Sequence, residues 1–249
     1  MVTLHTGEDE MARFRFLARW SLLASLVVLG LLLMFFTVLF PVVRDSPLPA
    51  QYNDLVRAGR NPAIFRLSIA LTAAHWLLLG GFLLLLGAAL AVRAPIGSAF
   101  IWACGIGQIA GVTGAFIHLN AVSNLAAGYA AAGPEQQGGL LRSYDDLRLV
   151  GTSLYAASDF MSALALLVVA GVTISAAGTA LDFPRWLVAM CGLLGLFGLG
   201  NAVADFATGS YAPDVPSDFL RIVIFFAVAV VFWRRTRAEG LEARQVPAS

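Results

Sequence analysis

The sequence predicts an all-α fold, a polytopic membrane bundle of six transmembrane helices running up and down with both termini on the inner side. Three observations carry this prediction. Hydrophobic residues make up 59% of the 249, and the mean hydropathy is +0.81, well outside the range of a water-soluble domain. Charged residues are only 12%, and they gather between long apolar runs instead of spreading over surface faces. A bilayer crossing needs about 20 mostly apolar residues at 1.5 Å rise each. Residues 17–43, 64–92, 96–130, 147–178, 184–208 and 218–234 meet that requirement.

The chain before the first run, "MVTLHTGEDEMARFRF", is polar and acidic. The run behind it is too long for a signal peptide and lacks a small-residue cleavage site, so it reads as a first transmembrane helix. This divides the chain into a cytoplasmic tail (1–16), a transmembrane domain (17–236) and a second cytoplasmic tail (237–249). The link from the first span to the second, "RDSPLPAQYNDLVRAGRNP", is long, and its Asn61-Pro62 end fits an N-cap with proline in the first turn. "RAPIG" (93–97) and "AGTALDFP" (177–184) are tight turns, and Asp182 is placed to cap the fifth span. "GPEQQGGLLRSYDD" reads as a second long outer loop, with Ser143 to Asp146 close to a capping box. Short turns make consecutive helices antiparallel neighbours, which gives the up-and-down order.

Orientation follows from arginine placement, since basic residues are retained on the cytoplasmic side. All 16 basic residues are Arg. With the N-terminus inside, Arg13, Arg15, Arg19, Arg93, Arg185, Arg234, Arg235, Arg237 and Arg244 lie inward, nine of them, against the seven at Arg44, Arg57, Arg60, Arg66, Arg142, Arg148 and Arg221. The aspartates of the outer loops and Trp20, Trp102, Trp186 and Trp233 near the inner boundary lean the same way.

The apolar runs are interrupted at one depth. Counted from the inner boundary at 1.5 Å per residue, His118 stands about 33 Å up the third helix, Asp159 about 28 Å along the fourth and Asp205 about 30 Å up the fifth. His75 and Asn201 sit deeper, at about 25 and 24 Å. A polar group at that depth needs a partner inside the protein. His75, His118, Asp159, Asn201 and Asp205 are therefore the candidate ligand-binding residues of an outward-facing vestibule, with the two aspartates as acceptors for the imidazoles. Gly107, Gly111, Gly114 and His118 share one helix face, as do Thr152, Tyr155, Asp159 and Ser162. The plainer alternative is that each polar residue has reached the headgroup region, where polarity costs little.

Two imidazoles and a carboxylate are ligand types for zinc, copper or haem, yet neither HExxH nor a paired HxxxH is present, so the cofactor stays unknown. Cys104 and Cys191 lie within apolar runs without CxxC spacing and read as small core residues. No GxSxG elbow accompanies a histidine, and nothing in the sequence requires an enzyme. A net charge of +1 points to no nucleic-acid partner. Two functions fit: non-catalytic binding of a small molecule or lipid by a sensor or carrier, or an accessory or scaffolding subunit whose Leu and Phe surfaces dock another membrane protein. Membrane lipids are partners in either case.

"LRLVGTSLYAASDF" (147–160) and "FPRWLVAMCGLLGLFGLG" (183–200) resemble a family of bacterial six-helix membrane proteins, domain of unknown function four-three-eight-six. The Pro-Arg-Trp-Leu start of span five and the carboxylate after small residues in span four carry the likeness. It implies six helices and a bacterial inner membrane, and it brings no activity and no catalytic residues.

Overall fold

The computed structural model describes residues 6–43, 48–91, 94–175, 183–208 and 215–245. These residues are helical almost throughout, and no strand occurs among them. The first helix, α1 (Thr6–Met34), passes through a π-helical turn (Phe35–Leu39) into Phe40–Val43. A short 3-10 turn leads to α2 (Asn53–Arg60). Then come α3 (Pro62–Leu90), α4 (Pro95–Ala131), α5 (Pro134–Ser175), α6 (Arg185–Thr208) and α7 (Val215–Gln245). Five helical stretches are long and apolar enough to cross a membrane: Met11–Val43, α3, α4, α5 and α6.

Local chemistry explains most boundaries. Asn61 accepts a hydrogen bond from the Ile64 N–H at 3.3 Å, and Pro62 follows it, so the start of α3 is capped as the sequence predicts. The expected Asp182 cap lies outside the described residues. The stretch read as a loop between spans three and four is instead the first turns of α5, which begins at Pro134. Its Ser143 hydroxyl bonds back to the Gly139 carbonyl at 3.2 Å within the helix and caps nothing. Leu141 and Tyr144 keep those turns helical by packing into a small apolar cluster with Tyr52, Leu55, Phe65, Val122 and Ala126. The helix of the last span is also longer than its apolar run, extending to Gln245.

Contacts fix the order and direction of the helices. Ser98 of α4 donates to the Gly87 carbonyl of α3 at 2.7 Å, while Gly111 of α4 meets Trp76 of α3, so the two run antiparallel. Gly97 meets Val172 and Gly107 meets Met161, so α4 and α5 are antiparallel as well. Gly195 and Gly192 of α6 face Ala163 and Ala170 of α5 in the same sense. On the other side α1 packs against both α3 and α7, with Phe14 stacked on Phe232 at 4.9 Å. The main core is aromatic and aliphatic, built around Trp76, Phe82, Leu83, Ile101, Leu187 and Phe232. Leu26 and Leu33 on α1, Ile106 and Ile109 on α4, and Leu193 and Leu196 on α6 face outward, as an integral membrane protein requires.

Tight spots follow from glycine. A Cβ on Gly111 would lie 2.7 Å from the Trp76 indole and 2.8 Å from the Ser158 hydroxyl, so only glycine lets α4 sit between those side chains. Gly111, Gly114 and His118 thus turn toward α5 and the interior.

Candidate functional site

An open cavity of about 1000 Å³ lies at the end of the bundle where α2 packs over α3 and α4. That volume is at the upper end for small-molecule pockets. One wall is apolar and comes from α1: Val28, Leu31, Leu32, Phe35, Leu39 and Phe40. The facing side is polar and comes from α3, α4, α5 and α7, with Thr72, His75, His118, Thr152, Tyr155 and Arg221 among its residues. Nearer α2 it is charged, where Asp54, Arg57 and Arg148 surround Tyr144. The described chain holds two π-helical turns, and each supplies lining residues: Phe35 and Leu39 from the first, His118 from the second.

Contacts between helices set the heights of these groups. Gly111 faces both Trp76 and Ser158, and Arg221 stands over the Trp76 ring at 5.6 Å while bonding Asp159. His75, Trp76 and Arg221 therefore share one level, the cavity floor, with Asp159 at the same level outside the lining. Tyr155 and His118 are one turn above. Arg148 is ten residues before Ser158 on α5, about 15 Å further up.

Each floor residue has a defined environment. Arg221 and Asp159 form an ion pair across α7 and α5 with both side chains 12% exposed, and Arg221 also reaches Asp218 at 3.2 Å. A guanidinium at this depth is tolerable only when paired in this way. His118 is buried, its Nδ1 3.0 Å from the Tyr155 hydroxyl and its ring stacked on the tyrosine at 5.3 Å. Gly151 allows this approach, since a Cβ there would lie 3.1 Å from the imidazole. His75 is 4% exposed, lies against Trp76 at 5.1 Å, and finds no hydrogen-bond partner for either ring nitrogen. An unmet buried polar group costs about 1–3 kcal/mol. Just below the floor Gln108, 1% exposed, donates to the Cys104 carbonyl at 3.0 Å and accepts from the Ser162 hydroxyl at 3.2 Å, tying α4 to α5.

The structure brings together some of the residues expected from depth and separates others. His75 and His118 line the same cavity. Asp159 is not among the lining residues and is committed to Arg221, so the expectation that it accepts from an imidazole is corrected: the hydrogen-bond partner of His118 is the Tyr155 hydroxyl, four residues away on the same face of α5. Asn201 and Asp205 are half-buried on α6, and among the described residues that line the cavity none comes from α6. Depth alone could not show this, because a helix can present a polar residue at the right height on the wrong side. Arg221, assigned from sequence to the outer flank, is instead a floor residue. Tyr155, Arg57 and Arg148 were also not anticipated as lining groups. The signal for Arg221 was present, since it follows Asp218 by one helical turn and opens an apolar run.

Among the described residues no group of three or more His, Cys, Asp and Glu side chains is placed to hold a metal ion. What remains is a polar face, carrying three arginines and two aspartates, set against a greasy wall, a pairing that suits an amphipathic ligand. No family model, no curated protein and no solved structure matches the chain.

Proposed function

We propose that this protein is a membrane-embedded binding protein, a sensor or carrier that takes an amphipathic small molecule or lipid into the cavity beneath α2 without chemically altering it. In this reading all six long helices cross the bilayer. Arg221, in the second turn of α7, is paired with Asp159, and the apolar remainder of the helix packs along α1, which supports a sixth crossing beside the five apolar helices. The excess of arginine on the side of the termini supports a cavity on the outer face.

One observation carries the reading: His75 is buried at the cavity floor with both ring nitrogens unpartnered, opposite an apolar wall. A structural histidine would be hydrogen-bonded, as His118 is. A half-turn of the His75 ring about its Cβ–Cγ bond exchanges each nitrogen with a ring carbon, so the side chain can answer a ligand without moving the helix.

The test is organic extraction of the protein purified in a mild neutral detergent, followed by mass spectrometry. A co-purifying amphiphile near one per chain is expected, and His75→Leu should lower its occupancy while the melting temperature holds or rises. Unchanged occupancy in His75→Leu refutes the reading. Stoichiometric partner proteins in place of an amphiphile would instead favour the accessory-subunit role.

A further inference from the structure

The unmet polar atoms around the cavity are not balanced. Among its lining residues, Arg57 Nε, Arg148 Nε and Trp76 Nε1 are buried N–H donors without partners. His75 adds one donor and one acceptor in its neutral form. The other unpartnered buried oxygens, on Ser123, Asp145 and Ser158, belong to residues outside the lining. Among the described lining residues, the fully buried polar atoms without partners are thus mostly donors.

Of the charged residues that line the cavity, Asp54 and Asp218 are each held by an arginine, which leaves Arg148 over. Asp54 is bound by Arg57 at 2.7 Å, and Arg57 also stands over the Phe35 ring at 5.1 Å. Asp218 and Asp159 are both bound by Arg221. Asp145, next to the cluster, accepts from the Tyr52 hydroxyl at 3.0 Å. Arg148 is the lining arginine for which the structure provides neither a hydrogen bond nor an ion pair. It is half-buried near the α2 end, at the opposite end of the cavity from His75.

We infer that the cavity recognises its ligand as a hydrogen-bond acceptor, and that Arg148 binds an oxyacid group, carboxylate or phosphate, at the head of the ligand while its chain lies along the apolar face of α1. This rests on the binding function proposed above and specifies the chemistry of what is bound. A guanidinium presents paired donors that match two oxyacid oxygens, whereas an ammonium head would face unmet donors and a free arginine.

Native mass spectrometry of the full chain released from neutral detergent tests this, using oleate, methyl oleate, oleyl alcohol and oleylamine as probes and acetate as a competitor. The expected order places oleate first and oleylamine last. Arg148→Gln should weaken oleate on the order of tenfold or more while leaving methyl oleate within about threefold. Arg148→Lys, which keeps the charge, should restore part of the oleate preference, and this partial rescue separates recognition from misfolding. Acetate competing against oleate at millimolar concentration would identify a free oxyacid as the source of the group, and no competition would identify a lipid. The inference is overturned if oleylamine binds as tightly as oleate, or if Arg148→Gln weakens all four probes equally; in both cases the binding function stands. If none of the four binds, that function falls with it.

Discussion

The ion pair between Arg221 and Asp159 offers the sharpest test of how this bundle is held together. Both side chains are 12% exposed, and the partners come from α7 and α5, 62 residues apart. Removing one member of a buried pair typically costs about 3–5 kcal/mol, because the survivor stays charged in a place that cannot solvate it. Asp159→Leu leaves Arg221 with Asp218 at 3.2 Å and the Trp76 face at 5.6 Å, which puts the loss near the lower end, about 3 kcal/mol. Arg221→Leu strands Asp159 and costs at least as much, so the two single losses sum to about 6 kcal/mol. Replacing both by leucine removes the charges together and should leave the protein within about 1 kcal/mol of the parent. Reversible unfolding by dodecyl sulfate in mixed micelles, followed by far-ultraviolet circular dichroism, measures all four corners of this cycle. A double variant as unstable as the sum of the singles would show that the two groups do not act on each other, and the account of the cavity floor would fail.

Two further predictions use the same assay. Gly111→Ala should destabilise by about 1–3 kcal/mol, because its methyl group would overlap Trp76 and Ser158, whereas Gly30→Ala, with open space around it, should be neutral or stabilise by up to about 1 kcal/mol; equal effects would refute the close approach of α4 to α3 and α5. Tyr155→Phe should cost about 1–3 kcal/mol by leaving His118 Nδ1 without its hydroxyl partner, and nuclear magnetic resonance of the imidazole should show that ring losing its hydrogen bond; an unchanged His118 spectrum would remove the pair from the site.

Much of the helical framework was legible because crossing a bilayer imposes a length and an apolarity that show in any window of the chain. The Asn61-Pro62 cap was legible because it is a local device. The early start of α5 was not, since Gly138, Gly139 and the glutamines beside Pro134 carry the composition of a loop, and the contacts of Leu141 and Tyr144 with distant residues make them helical. Height along a helix could be counted, and His75 and His118, singled out by height, line the same cavity. The direction in which a residue points around the axis could not be counted, which is why Asn201 and Asp205 were grouped with a cavity that no described residue of α6 lines. Arg221 was counted only as an outer arginine of the last span, because its buried position depends on Asp159, a partner no local pattern reveals.

The widened turn at His118–Val122 settles a problem of phase in α4. Gly111 and Gly114 must meet α3 and α5, while Val122 and Ala126 must meet the cluster beneath α2. A regular α-helix turns 100° per residue, so each step of four positions drifts by about 40° and carries successive contacts off the seam. One surplus residue absorbed in a wide turn shifts the phase of everything beyond it by about 100°, so the distal segment presents a different face from the segment before it. Deleting one residue there would straighten the ladder and swing the whole distal segment by roughly a quarter of a revolution, so this short insertion works as the angular coupling between the two ends of the molecule.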